Sequence, residues 1–139
     1  MSGVIRFGVS IDSALLHKFD ALIEAKGYTN RSEALRDLIR DSMVQAESEL
    51  GTKEMIGTIT IVYNHHTREL TDTLTDLQHR YFHNIISTTH IHMDKHNCLE
   101  VLIARGRGNE IRSIAELLIG ARGVKHGKFT LTSTGRDLT

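Results

Sequence analysis

The chain has 139 residues, with 17 Lys and Arg against 17 Asp and Glu, so its formal net charge is zero and no uniformly basic footprint marks it as a nucleic-acid binder, although local positive patches stay open. One cysteine excludes an intramolecular disulfide and fits a reducing compartment. No apolar run approaches about 18 residues and no charged-apolar-small leader opens the chain, so a soluble cytoplasmic protein of one domain or two small ones is expected.

Residues 4–11 alternate, with Arg6, Gly8 and Ser10 on one face and Phe7, Val9 and Ile11 on the other, the period of a short half-buried strand. A helical stripe of Leu15, Leu16, Phe19, Leu22 and Ile23 follows over 12–26 and is stopped by Gly27. Asn30 opens a second helix with Glu33 three residues on, as in a capping box, and its apolar stripe is Leu35, Leu38, Ile39 and Met43. One strand and two helices within about 45 residues are too little to fold alone. The strand also has no partner, because no second β pattern occurs before Gly57. Two copies solve both problems: their strands pair antiparallel and four helices pack beneath. This is the ribbon-helix-helix plan, whose ribbon enters the DNA major groove. Arg6 and Ser10 become the candidate base readers, and the free N–H groups near Asn30, Arg31 and Ser32 are placed to hold a phosphate. A strand of this pattern can also pair within a larger sheet; the DNA reading is the favoured one.

Residues 45–55 are polar and helix-prone, with Gly51 in the middle, and read as a linker that continues the second helix for some residues. The expected domains are therefore 1–50 and 51–139. Beyond Gly57 come a strand over 58–63, a polar loop at 64–67, and a helix over 68–81 with Leu70, Leu74, Leu77 and Tyr81 inward. A strand over 85–93, a turn, a strand over 98–104 and a loop at 105–108 follow. A helix over 109–121, with Ile111, Ile114, Ala115 and Leu118 inward, and a strand over 127–133 complete the chain. The order βαββαβ is the ferredoxin-like split unit, so the fold class is α+β. Its uncovered sheet face needs water or another sheet, and an oligomer is expected.

The stretch His90-Ile91-His92-Met93-Asp94-Lys95-His96-Asn97-Cys98 reads as strand, turn, strand. His90 and His92 share a face. If His92 and Cys98 close a hairpin they are directly opposed, and two imidazoles and one thiol converge. Histidines on a half-exposed strand and a small buried cysteine are also ordinary structural residues, but their combination favours a metal. Thiolate plus imidazole suits Ni, Cu or Zn and not Mg or Ca. A sheet face offers only one side of a coordination sphere, so a fourth ligand must come from an element packed on it, in this chain or a partner. His79, at the end of the helix over 68–81, is a candidate that spacing alone does not separate from Gln78 or Arg80.

The chain resembles the nickel-responsive transcriptional repressors of the ribbon-helix-helix class, NikR-type, over nearly its whole length. The match is carried by Gly27-Tyr28-Thr29-Asn30-Arg31-Ser32-Glu33-Ala34-Leu35-Arg36-Asp37, by Gln78-His79, by His90-Ile91-His92 through Cys98-Leu99-Glu100, and by Gly123-Val124-Lys125-His126-Gly127. The resemblance implies a square-planar nickel site of His90, His92 and Cys98 from one subunit and His79 from another, with one Ni(II) per subunit. It implies a homotetramer with ACT-like C-terminal domains, and a double-stranded DNA operator, of nickel-uptake genes, held with Ni(II) as co-repressor. Glu100 is implied as a neighbour of the metal site, Glu33 and Asp37 as a site for a potassium-like cation, and Arg68 as a phosphate contact. Gly8 departs from the pattern, standing where some members carry a base-contacting side chain. The run Arg80-Tyr81-Phe82 replaces the histidines that sometimes follow His79. For His65, His66, His83 and His96, weaker metal sites and no role are both open, and no role is the favoured reading. No catalytic residues are expected, since a full four-ligand shell excludes substrate. The alternative is a ribbon-helix-helix regulator answering to another metal, or to a small molecule bound by the C-terminal domain.

Overall fold

A computed structural model describes residues 3–139, and the chain divides into two compact units, one ending at Asp41 and the other Ser42–Thr139. In the first unit, residues 3–12 of the single chain form neither helix nor strand, and the strand expected over 4–11 is one that pairs with a second copy. A strand needs a ladder for its N–H and C=O groups, and this unit offers no second strand. Arg6, Gly8 and Ser10 lie exposed in that segment, as do Phe7 and Val9.

Helix α1 (Ser13–Ala25) begins where the Asp12 carboxylate accepts the N–H groups of Ala14 and Leu15 at 3.0 and 3.1 Å. It ends in a Schellman motif: Gly27, at φ +85°, donates to the Glu24 carbonyl and Tyr28 to that of Ile23. Helix α2 (Arg31–Leu50) is capped by Asn30, whose side chain accepts from Glu33 N–H at 2.9 Å. The Glu33 carboxylate in turn accepts from the Thr29 hydroxyl at 3.2 Å. Among the described residues of this unit only Ile23 and Ala34 are buried hydrophobic residues, while Leu22 and Leu38 each stay 51% exposed. The apolar stripes of both helices are uncovered in one chain.

Gly51, at φ +71°, ends α2 at the boundary expected near residue 50. The compact units divide earlier, between Asp41 and Ser42, and Val44 packs against the core of the second.

That unit is a four-stranded antiparallel sheet in the order β2-β3-β1-β4, from β1 (Glu54–Asn64), β2 (Ile85–His92), β3 (Asn97–Arg107) and β4 (Val124–Ser133). Helices α3 (Arg68–Arg80) and α4 (Gly108–Ile119) are the two crossovers. The loop expected at 105–108 is absent: β3 stays paired to β1 as far as Arg107 opposite Glu54, and α4 starts at once. Arg105 also binds Glu54 across the strands at 2.7 Å. The buried face alternates as a half-covered sheet should. Met55, Ile59, Ile61 and Tyr63 of β1 meet Leu70, Leu74 and Leu77 of α3 and Ile111, Ile114, Ala115 and Leu118 of α4.

Helix α4 comes so close at Gly57 that a Cβ there would stand 2.3 Å from the Ile111 Cγ2 methyl. Gly57→Ala is expected to cost about 1–3 kcal/mol by overpacking. Urea unfolding followed by circular dichroism checks this, and an unchanged midpoint would mean that α4 shifts freely.

Candidate metal centre

The β2–β3 hairpin pairs His92 with Cys98, Ile91 with Leu99 and His90 with Glu100. Its turn is tied by one side chain. The Asp94 carboxylate accepts the N–H groups of His96 and Asn97 at 2.8 Å each and the Asn97 amide at 3.0 Å. These bonds, led by the Asn97 side chain, hold the Asp94 acid far below the usual carboxylate range. Met93 N–H closes the turn on the Asn97 carbonyl at 2.9 Å. The register is therefore pinned beside the histidines.

Strand β2 lies at the sheet edge, and every residue of it after Ile85 is exposed. Strand β3 lies between β2 and β1, and Cys98 is wholly buried among core residues. A buried thiol thus meets exposed imidazoles across one strand pair. The His92 Nδ1 atom stands 3.5 Å from the Cys98 Sγ, and the His90 ring centroid is 5.0 Å from that of His92. Burial, above all, pushes the Cys98 thiol up, against a smaller pull from the His65 backbone N–H.

Glu100 is a buried carboxylate with both oxygens engaged. Its Oε2 accepts from the Tyr63 hydroxyl at 2.9 Å and its Oε1 from the Gln78 amide at 2.8 Å. Desolvation and this carboxylate raise Tyr63 well above an ordinary phenol, so it stays a donor. Gln78 is in the last turn of α3, and His79, about 100° further round the helix, is exposed and stands apart from the cluster.

Among the described residues, the ligand atoms that gather within 4.8 Å of one another are those of His65, His92 and Cys98. His65, expected to do nothing, thus lies beside His92 and Cys98, and His90 is not in that group. Its N–H donates to the His96 carbonyl at 3.0 Å, its ring lies edge-on 5.1 Å from His92, and its Nδ1 is buried without a hydrogen-bond partner. Burial first, then the neighbouring His66 and His92, lowers its pKa. The signal was present in the sequence only indirectly. His65 follows the strand that pairs with β3 at Cys98, and that pairing is a matter of topology. His66 bonds the Lys95 carbonyl at 2.9 Å and meets the His96 ring edge-on, while His83 lies on Phe82.

The other candidate residues lie elsewhere. Arg31 is held by Asp20 through two bonds of 2.8 Å, and Ser32 and Arg68 are exposed in the first turns of α2 and α3. Asp37 accepts from the Tyr28 hydroxyl and from Arg40 at 2.9 Å. The Glu33 carboxylate, one turn earlier, accepts the Thr29 bond described above.

A family model described as NikR C terminal nickel binding domain matches residues 56–132, and one described as Ribbon-helix-helix protein, copG family, matches residues 5–45. Proteins named "Putative nickel-responsive regulator" from Pelobacter propionicus and Geobacter sulfurreducens are 60% and 56% identical over 138 residues, 99% of this chain and 99% of theirs. One of the same name from Pyrococcus furiosus is 57% identical over 136 residues, covering 98% of this chain and 99% of its own. The chain belongs to the nickel-responsive regulator family. The family is one of transcriptional regulators, not enzymes, and joins a DNA-binding ribbon-helix-helix domain to a nickel-binding one. An uncharacterized protein, TM1266, from Thermotoga maritima shares the fold, with a TM-score of 0.51 at 15% identity, covering 57% of this chain and 98% of that one. No helix among the described residues is long and apolar enough to cross a membrane.

Removing Glu100 strands the Tyr63 hydroxyl and the Gln78 amide. Glu100→Ala is expected to cost about 1–3 kcal/mol, and Tyr63→Phe about 1 kcal/mol. In chemical denaturation the second change should cost little once the first is made; fully additive losses would mean that the pair does not interact.

Proposed function

We propose that this regulator is a nickel-gated repressor, with Ni(II), one per subunit, as co-repressor at a double-stranded operator of nickel-uptake genes. The observation that carries it is the hairpin register, which opposes His92 to Cys98 in a chain of ribbon-helix-helix type at its N-terminus. Residues 1–50 bind DNA and dimerise, residues 51–139 bind metal and tetramerise, and the protein works in the cytoplasm.

The donors present fit the metal. His92 faces Cys98 on a single hairpin and the His90 ring lies 5.0 Å from that of His92, borderline and soft ligands of the kind Ni(II) accepts. His90, His92 and Cys98 hold it together with His79 of another subunit. The exposure of His79 beyond the Gln78–Glu100 bond supports that assignment. When bound, the metal supplies a link between subunits. Glu100, fixed by Tyr63 and Gln78, positions the last turn of α3 and the strand beside His90.

At the other end, a second copy covers the exposed stripe of Leu22, Leu38 and Met43 and gives residues 4–11 the ladder they lack. Arg6, Gly8 and Ser10 then face the major groove, with Arg6 suited to a guanine edge. Asn30, Arg31 and Ser32 receive a phosphate at the start of α2, where Arg31 exchanges Asp20 for it, and Arg68 takes another. A potassium-like cation between Glu33 and Asp37 competes with Arg40 for the Asp37 carboxylate. Nickel and DNA raise each other's affinity by one and the same factor. On a chain of zero net charge, DNA affinity rests on these local groups and falls with salt.

The test is retention of operator-style DNA by the full-length protein during titration with Ni(II), Zn(II) and Cu(II), with thiolate-to-metal absorption recorded alongside. Ni(II) should give both signals; metal uptake without any change in DNA retention would sink the reading. Cys98→Ser should abolish both. Arg6→Ala should weaken DNA retention by roughly 1–3 kcal/mol while the nickel absorption is unchanged.

A further inference from the structure

On the reading that the β2–β3 hairpin binds nickel, we infer that Lys125 is a positioning residue for it. A bulge in β4 aims the Lys125 ammonium at Asn97, the residue before Cys98, and through Asn97 it fixes the turn beside the thiol.

Val62 of β1 pairs with His126 of β4, but the next β1 residue, Tyr63, pairs with Val124. Lys125 is the extra residue, left out of the ladder, and such a bulge bends its strand and re-aims a side chain. An exposed lysine on an edge strand ordinarily points to water and discourages pairing with other chains. Lys125 instead donates to the Asn97 Oδ1 at 2.6 Å. Asn97 belongs to β3, and β1 lies between β3 and β4. Strands two apart in a sheet are separated by roughly 10 Å. The contact therefore needs both the bulge and the end of β1, whose last residue, Asn64, pairs with Asn97.

Every polar atom of Asn97 is engaged. Its N–H donates to the Asp94 Oδ1 at 2.8 Å, its side-chain amide donates to the Asp94 Oδ2 at 3.0 Å, and its carbonyl accepts from Met93 at 2.9 Å. With Lys125 on the amide oxygen, a cation, an amide dipole and a carboxylate stand in line, and each bond polarises the next. The Asp94 bonds close the turn only on itself. His65 and His66 reach its backbone, at the His96 and Lys95 carbonyls. Lys125 reaches the side chain that is joined to Asp94, and does so from the opposite edge of the sheet. Since Cys98 follows Asn97 and opposes His92, a turn of Asn97 shifts the thiol against the imidazole.

The sign of the effect separates positioning from bare charge. A cation near a metal site repels the metal, so removing its charge raises metal affinity if charge is all that matters. Losing a group that orients ligands lowers affinity by about 10–100-fold. Lys125 acts through Asn97, so the lower end of that range applies.

The experiment uses the full-length protein with Lys125→Met, Lys125→Arg, Asn97→Ala and the Lys125→Met, Asn97→Ala pair, and circular dichroism verifies folding. Ni(II) affinity is measured by chelator competition, and hydrogen exchange of the Met93 and His96 N–H groups is followed in the metal-free protein. Lys125→Met should lower Ni(II) affinity about 10-fold and speed the exchange, and Lys125→Arg should restore both. Once Asn97→Ala is in place, Lys125→Met should change neither. Where Ni(II) affinity depends on Cys98, an unchanged or raised affinity in folded Lys125→Met overturns the inference, as does a full loss that persists without Asn97. The nickel reading fails separately: if Cys98→Ser leaves Ni(II) affinity intact, the metal lies elsewhere. Amide exchange then decides alone, faster exchange in Lys125→Met sustaining the positioning of the hairpin and unchanged exchange overturning it.

Discussion

The placement of β3 between β2 and β1 decides the chemistry of this protein. Cys98 has His92 across one ladder and Tyr63 across the other; Glu100 has His90 and Ile61. A slip of one residue in the β2–β3 pairing would turn both histidines to the opposite face and leave the thiol against aliphatic neighbours. The hairpin is accordingly tied at both ends. Asp94 binds the turn, and at the far end Arg105 N–H donates to the Asn84 carbonyl at 2.7 Å while the Asn84 amide returns a bond of 3.1 Å. Beside the turn, Lys125 of β4 reaches the Asn97 side chain at 2.6 Å. An exposed edge strand benefits from such anchoring.

How legible this was depends on whether the decisive partner lies nearby in the chain. The βαββαβ order and the helices were readable from apolar periodicity, since each element carries its own period. The His92–Cys98 opposition was readable because a short hairpin is a local contact. His65 was not, for its nearness to Cys98 comes from pairing between β1 and β3, more than thirty residues apart. The end of β3 was misjudged because Arg105, Gly106 and Arg107 look like a loop in isolation. Pairing with Met55, Glu54 and Ile56 overrides that composition.

The segment 4–11 is the opposite case. Its alternation is genuine, yet one chain forms no strand from it, since a ladder needs two strands and this unit holds one candidate. The same incompleteness shows in the helices, where Leu22, Leu38, Ile39 and Met43 remain open to water. Exposed stripes of this extent in so small a unit bury too little apolar surface to offset chain entropy. The periodicity is that of the proposed assembly, and a single chain leaves it unsatisfied.

A comparable incompleteness at the metal hairpin has a different use. In the proposed site a sheet face supplies half a coordination sphere, a buried thiol and exposed imidazoles, and leaves the remainder to be supplied from above. A ligand shifts an equilibrium between two arrangements only by the difference in its affinity for them. A metal held wholly by one chain has the same donors in every arrangement of subunits and shifts nothing. A metal that needs a histidine from another subunit binds only the arrangement that presents it. In the proposed mechanism, leaving the site unfinished within one chain is what lets a small ion govern how distant DNA-binding segments are placed.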